Sequence, residues 1–176
     1  VTQTNPFVSR RSVPPQNLAS FGDFSGLRSA MESLLTCVGE ALPDPAPARM
    51  FLYAGEEPPW DDCCDGQVWV RLVSVTPAGT NPTRGGCGPA MWAASVRVGV
   101  LRCAATLGAN GTLPAVADMI RDTAVQIADM AAVESAIKCC FESKPLEFVS
   151  WVPLGVEGGC AGGEWSIILK LNSCGC

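Results

Sequence analysis

A chain of 176 residues can bury a core of its own and is too short for two full domains. Its residues are 48% hydrophobic and only 16% charged, with a net charge of −5 and no histidine. That removes the usual imidazole from acid–base catalysis, from Ser/His and Cys/His nucleophiles and from metal ligation, while the twelve basic residues are too scattered for tight phosphate binding.

An apolar surplus with so little charge points to surface covered by other subunits. The expectation is a non-enzymatic protein with no catalytic residue, no cofactor and no metal. The richest apolar stretch, residues 91–101, is broken by Ser95, Arg97 and Gly99, and falls short of the roughly 18 residues a membrane-spanning helix needs. Residues 1–17 carry Arg10 and Arg11 but neither an apolar core nor a small-residue cleavage pattern. This reads as an unsecreted chain, a reading shared by a mature form already trimmed of its signal.

In chain order, residues 1–19 hold Asn5, Pro6, Pro14, Pro15 and Asn17 without periodicity, and are expected to form an extended arm preceding a single α+β domain over 20–176. Ser25 offers an N-cap, and Leu27, Met31, Leu34, Leu35, Val38 and Leu42 repeat at helical spacing until Pro43. Residues 49–53 form a short strand candidate before an acidic, proline-containing loop over 55–65. Residues 67–76, rich in valine with Trp69, predict a strand covered on both faces.

Residues 77–89 make a long loop, and 91–103 a long strand with Trp92, Ala94, Val96, Val98 and Val100 on one face. The two strands should form an extended hairpin with a protruding tip. Thr112 is the expected cap of a second helix with Pro114 in its first turn and Asp118 and Asp122 near its positive end. Val116, Met119, Ile120, Thr123, Ile127, Met130, Ile137 and Phe141 carry its apolar period, and Lys144-Pro145 ends it. A strand over 146–152, a flexible glycine-rich loop over 155–163 and a closing strand over 164–171 complete the order. A mixed or antiparallel sheet with a long central hairpin, packed by two amphipathic helices, follows.

Ten cysteines demand an explanation. Besides Cys37 they are Cys63, Cys64, Cys87, Cys103, Cys139, Cys140, Cys160, Cys174 and Cys176, a candidate disulfide or thiol cluster. Adjacent pairs such as Cys63-Cys64 and Cys139-Cys140 lack the hook spacing of zinc sites, and neighbours in a strand face opposite ways. Buried free thiols are the first reading, disulfides formed in an oxidising medium the second and zinc the third. The central hairpin would bring Cys63 and Cys64 near Cys87 and Cys103.

Other features have plainer readings. Glu56, Glu57, Asp61, Asp62 and Asp65 lack a calcium-loop pattern and read as a solvated loop face. The glycines of 155–163 match no phosphate loop. Lys138, Lys144 and Lys170 have nothing to lower an amine pKa, and four of the five tryptophans fall in strands, where core packing is the simplest role.

Two strings carry a family likeness: Trp60-Asp61-Asp62-Cys63-Cys64-Asp65-Gly66-Gln67-Val68-Trp69-Val70-Arg71-Leu72, and Trp92-Ala93-Ala94-Ser95-Val96-Arg97-Val98-Gly99-Val100-Leu101-Arg102-Cys103. They resemble head-to-tail connector proteins of actinobacterial tailed phages, and the order of elements over 27–171 resembles tail terminators of long-tailed phages, without a catalytic signature. The resemblance implies a tail-terminator-like fold and a homo-oligomeric ring, commonly a hexamer. Such a ring sits at the neck of the virion, is assembled in the host cytoplasm, caps the tail tube protein and meets the adjacent head-completion or connector protein. DNA passes through its lumen without being held, and no membrane is involved. Two alternatives stand beside it: another neck or head-completion ring, and a secreted, disulfide-stapled binding module. An enzyme using Glu56 or Asp62 rests on no motif.

Overall fold

Leu27, Met31, Leu34, Val38 and Leu42, spaced to share one helical stripe, are all buried, and the helix they define is α1 (Ser25–Ala41). Pro43, which cannot continue the helical hydrogen bonding, follows it. The structure, a computed structural model, describes residues 25–60, 63–78, 90–108, 110–141 and 146–173. The arm over 1–19, the tip of the central hairpin and Lys144-Pro145 therefore lie outside the described residues.

Strands β1 (Arg49–Ala54), β2 (Gln67–Pro77), β3 (Ala90–Cys103), β4 (Leu146–Glu157) and β5 (Cys160–Ser173) form one sheet in the order β1-β2-β3-β5-β4. β1 runs parallel to β2 and every other pair is antiparallel, so the fold is α+β with a mixed sheet. The central hairpin of β2 and β3 is present, and β3 also pairs with β5 along its whole length.

Period-two alternation divides the sheet into two faces. Val68, Val70, Ala94, Val96, Val98, Val100, Ile167 and Leu169 point to one side and bury themselves against α1 and the second helix, α2 (Val116–Cys140). Trp165 belongs to the same face and donates its indole N–H to the Met130 carbonyl at 2.9 Å, fixing α2 over β5. Arg102, at the end of β3, grips Asp129 with two N–H···O bonds of 2.7 and 2.9 Å and donates to the Pro43 and Pro45 carbonyls at 3.0 Å. One guanidinium thus joins sheet, helix and the connection after α1.

Four sequence expectations need correcting. β2 is covered on both faces only over Gln67–Arg71; beyond a bulge at Val73 its outer half is largely exposed. α2 begins at Val116 with Ala115 as its cap and no side-chain capping bond, because the Thr112 carbonyl is engaged in a tight turn by the Gly108 N–H at 2.9 Å. The apolar period read along α2 is only partly a core stripe: Ile137 and Phe141 are buried, but the buried set is completed by Asp129, Val133 and Ala136, while Val116, Ile120 and Ile127 face solvent.

The fourth is the glycine-rich loop, which is a hairpin turn of two residues. Gly158 and Gly159 adopt φ of 58° and 86°, the left-handed region that lets two strands reverse directly. Gly162 and Gly163 are strand residues, where a side chain would strike the Val100 carbonyl or the Trp151 ring.

Cys37 of α1 and Cys140 of α2 form a disulfide, with Cα atoms 6.5 Å apart and 103 residues of separation. A crosslink spanning so much chain removes loop-closure entropy from the unfolded state, on the order of 4 kcal/mol in the chain-entropy description. Replacing both residues by serine should lower the unfolding free energy by about 2–4 kcal/mol in a non-reducing urea titration, with the slope of the transition raised as the unfolded chain expands. An unchanged midpoint would assign the helix pair's stability to packing alone.

Candidate functional site

Among the described residues the second face of the sheet carries no α-helix, and the most polar of its residues lie in register. Trp69, Gly99 and Glu164 sit side by side across β2, β3 and β5. Because Gly99 has no side chain, the Trp69 indole lies flat across it; a Cβ there would collide with the ring. The indole N–H thereby reaches Glu164 Oε1 at 2.9 Å.

The same carboxylate accepts Arg71 Nε on Oε1 and Arg71 Nη2 on Oε2, both at 2.8 Å, and Arg97 Nη1 on Oε2 at 3.2 Å. Glu164 is only 2% exposed and Arg71 5%. Taken out of water, this carboxylate is tolerable only because two guanidiniums and an indole surround it. Arg71 Nη1 also donates to the Gly55 carbonyl at 3.3 Å, which ties the start of the β1–β2 crossover to the same cluster.

That crossover supplies the cover. Trp60 packs with Phe51 and Leu154 against a small second core of Cys63, Trp69, Leu101 and Cys160. A single 3-10 turn, Cys63–Asp65, carries two disulfides, Cys63 to Cys160 and Cys64 to Cys103, with Cα separations of 5.7 and 4.2 Å. Above the cluster an open cleft of about 670 Å³ is lined by Trp60, Arg97, Leu154 and the glutamates Glu56, Glu57 and Glu157.

Both Glu164 oxygens are occupied by donors from within the chain, so neither is aimed at a substrate. Among the described residues no three Cys, Asp or Glu side chains are arranged to hold a metal ion. Glu56 and Glu57 are exposed, Asp65 lies in the 3-10 turn, and Asp61 and Asp62 fall outside the described residues. Lys138 makes a 2.6 Å pair with Glu134 on the surface of α2. Trp69 is wholly buried, and Trp151 and Trp165 pack at 5.9 Å between ring centres.

The free-thiol reading of the cysteines gives way, since six of the seven cysteines among the described residues pair. The physical reason is local: a 3-10 turn sets successive side chains about 120° apart rather than on opposite faces, so Cys63 and Cys64 can both reach the sheet. The antiparallel register of β3 against β5 puts Cys160 directly opposite Cys103. Cys139 is free and exposed, while Cys87, Cys174 and Cys176 lie outside the described residues. The Arg71–Glu164 and Arg102–Asp129 pairs escaped the sequence reading. Their signal was present, as single charges at 71, 97, 102 and 164 inside otherwise apolar strands.

The other conspicuous surface is apolar. Val116, Ile120 and Ile127, at helical spacings of four and seven, share one flank of α2 and are 66%, 64% and 57% exposed. Leu107 and Leu113 precede that helix and are more than half exposed, and the edge strand β4 presents Val149, Val152 and Val156.

Compared with known proteins, the chain matches no family model and no curated protein.

Replacing Glu164 by Gln should cost about 3–5 kcal/mol, because Arg71 would stay buried without its counter-charge. Arg97→Ala should cost under about 1 kcal/mol, its side chain being 38% exposed and screened by water. Urea titrations of the two variants would separate them; equal losses would refute the distinction between buried and solvated partners.

Proposed function

We propose that this chain is a structural virion protein of a tailed phage, forming an oligomeric ring at the head–tail junction that caps the tail tube and joins it to the head. The observation that carries the reading is the uncovered apolar surface on α2 and β4. Val116, Ile120 and Ile127 are too exposed to serve the chain's own core, and each aliphatic side chain buried between subunits contributes about 1.5–3 kcal/mol.

Ring closure needs two different patches on each subunit, one meeting the other on the next copy. The sheet has two unlike edges, β1 and β4, at its opposite sides. The α+β architecture with a long β2–β3 hairpin fits the tail-terminator resemblance of the two strand strings. A chain without histidine, whose buried Glu164 cluster is engaged internally, fits a scaffold better than an enzyme. Its acidic net charge suits a passage through which DNA slides.

A second reading, a secreted binding module stapled by disulfides, is favoured by one specific observation: three disulfides join distant parts of the chain. The two readings separate by assembly. A virion ring gives closed oligomers in mass photometry and decorates tail-tube ends; a binding module stays monomeric and carries its disulfides from the moment of synthesis.

Ile120→Asp combined with Ile127→Asp should leave the circular dichroism spectrum unchanged, since both positions are exposed. Ring association should weaken by about 100-fold or more, as expected from losing two buried aliphatic contacts. A wild-type protein that remains monomeric at high concentration and ignores tail tubes would reject the proposal.

A further inference from the structure

The two disulfides on the open face belong to one unit. Cys103 and Cys160 are register partners of β3 and β5, so their side chains emerge on the same face, and Cys63 and Cys64 are consecutive residues of the turn above them. Two adjacent residues are thus bonded to two facing strand residues, like a double clasp. The backbone hydrogen bonds of the turn lie toward β1. Gly66 N–H donates to the Cys63 carbonyl within the turn, Ala48 N–H donates to Asp65 at 2.8 Å and Arg49 N–H to Gly66 at 3.3 Å, all toward the β1 side. Sulfur, together with the apolar contact of Cys63 and Trp60 with Trp69 and Leu101, joins the turn to β3 and β5.

We propose that Cys63, Cys64, Cys103 and Cys160 form a two-step thiol–disulfide latch, which clamps the Cys63–Asp65 turn onto the sheet when oxidised and lets it lift from Trp69 when reduced. The steps are ordered by access. Cys64 and Cys103 are exposed, whereas Cys63 and Cys160 are 2% and 5% exposed behind them. A small thiol reaches the outer bond directly, and the inner bond only after the outer one has opened.

The exchange balances with glutathione as the partner. On closing, one cysteine thiolate attacks oxidised glutathione, forming a mixed disulfide and expelling a glutathione thiolate. The second cysteine thiolate attacks the protein sulfur of that mixed disulfide and expels the other. Each bond closed removes two electrons and two protons from the protein, and one oxidised glutathione becomes two reduced ones. Opening is the reverse. The device reports the compartment: a chain made among reduced thiols carries a liftable turn, and one exposed to an oxidising medium carries a fixed one. It applies to a virion ring and to a secreted module alike.

The full-length protein can be exposed under native conditions, for one fixed time too short for equilibrium, to graded concentrations of reduced glutathione, quenched with an alkylating reagent and mapped by mass spectrometry. Cys64 and Cys103 should become labelled at reductant levels about tenfold or more below those needed for Cys63 and Cys160. Proteolytic nicking between residues 55 and 66 under native conditions should rise about tenfold once all four are reduced, as expected for release of a local unit. Cys63→Ser with Cys64→Ser should show that faster nicking without reductant, and Cys37→Ser with Cys140→Ser should not. Simultaneous labelling of both pairs, labelling of the buried pair first, or unchanged nicking of the fully reduced wild type would each overturn the latch. The wild-type titration decides the matter even if the double variant fails to fold.

Discussion

The open face of this molecule depends on how a buried carboxylate is kept. Glu164 sits on a central strand with almost no contact with water, and it is held there by Arg71, Arg97 and the indole of Trp69. The arrangement requires a gap in the strand between them, and Gly99 is that gap. A side chain at 99 would push the tryptophan away, and the carboxylate would lose a neutral donor in a place where losing any donor is expensive. The cover over this cluster, the crossover with its two disulfides, then has a fixed floor to close upon.

The helical face obeys a different rule. Its core is a conventional layer of valines and leucines between sheet and helices, held in place by a few directional contacts: Arg102 to Asp129, Trp165 to the Met130 carbonyl, and the Cys37–Cys140 bond. Those contacts concentrate on the C-terminal half of α2. The N-terminal half projects apolar side chains that the chain's own sheet does not cover, and this imbalance is the physical content of the assembly proposal.

Both faces bear on function through what they leave over. The open face uses its polar groups internally and keeps a turn joined to β3 and β5 by two disulfides. The helical face uses its apolar groups internally and retains a surplus on one flank. Under the proposed assembly role the apolar surplus would meet a neighbouring subunit, and the proposed latch would set how firmly the turn is presented.

Much of the fold was legible in the sequence because it rests on local pattern. The valine-rich alternation of β2 and β3, the apolar stripe of α1 stopped by Pro43, and the order of helices and strands follow from side-chain period and from proline's missing N–H. The start of α2 and the ends of β4 and β5 did not follow, because Thr112 and the glycines after Gly155 have local propensities that tertiary packing overrides. Gly162 and Gly163 read as loop residues, yet they are strand residues chosen for close approach to Val100 and Trp151.

The site was harder still. Lone charges at 71, 97 and 164 inside apolar strands were a signal that the sequence reading passed over, and their meeting requires β5 to lie beside β3, a pairing between segments about 65 residues apart that no local rule specifies. The cysteines make the same point. The sequence by itself determined that ten thiols had to be accommodated without histidine and without zinc hooks; only the register of β3 against β5, with a turn that is helical rather than extended, decided that Cys63 pairs with Cys160 and Cys64 with Cys103, and only the packing of α1 on α2 decided that Cys37 pairs with Cys140. Periodicity is written along the chain, whereas pairing depends on which distant segments the buried layers bring together.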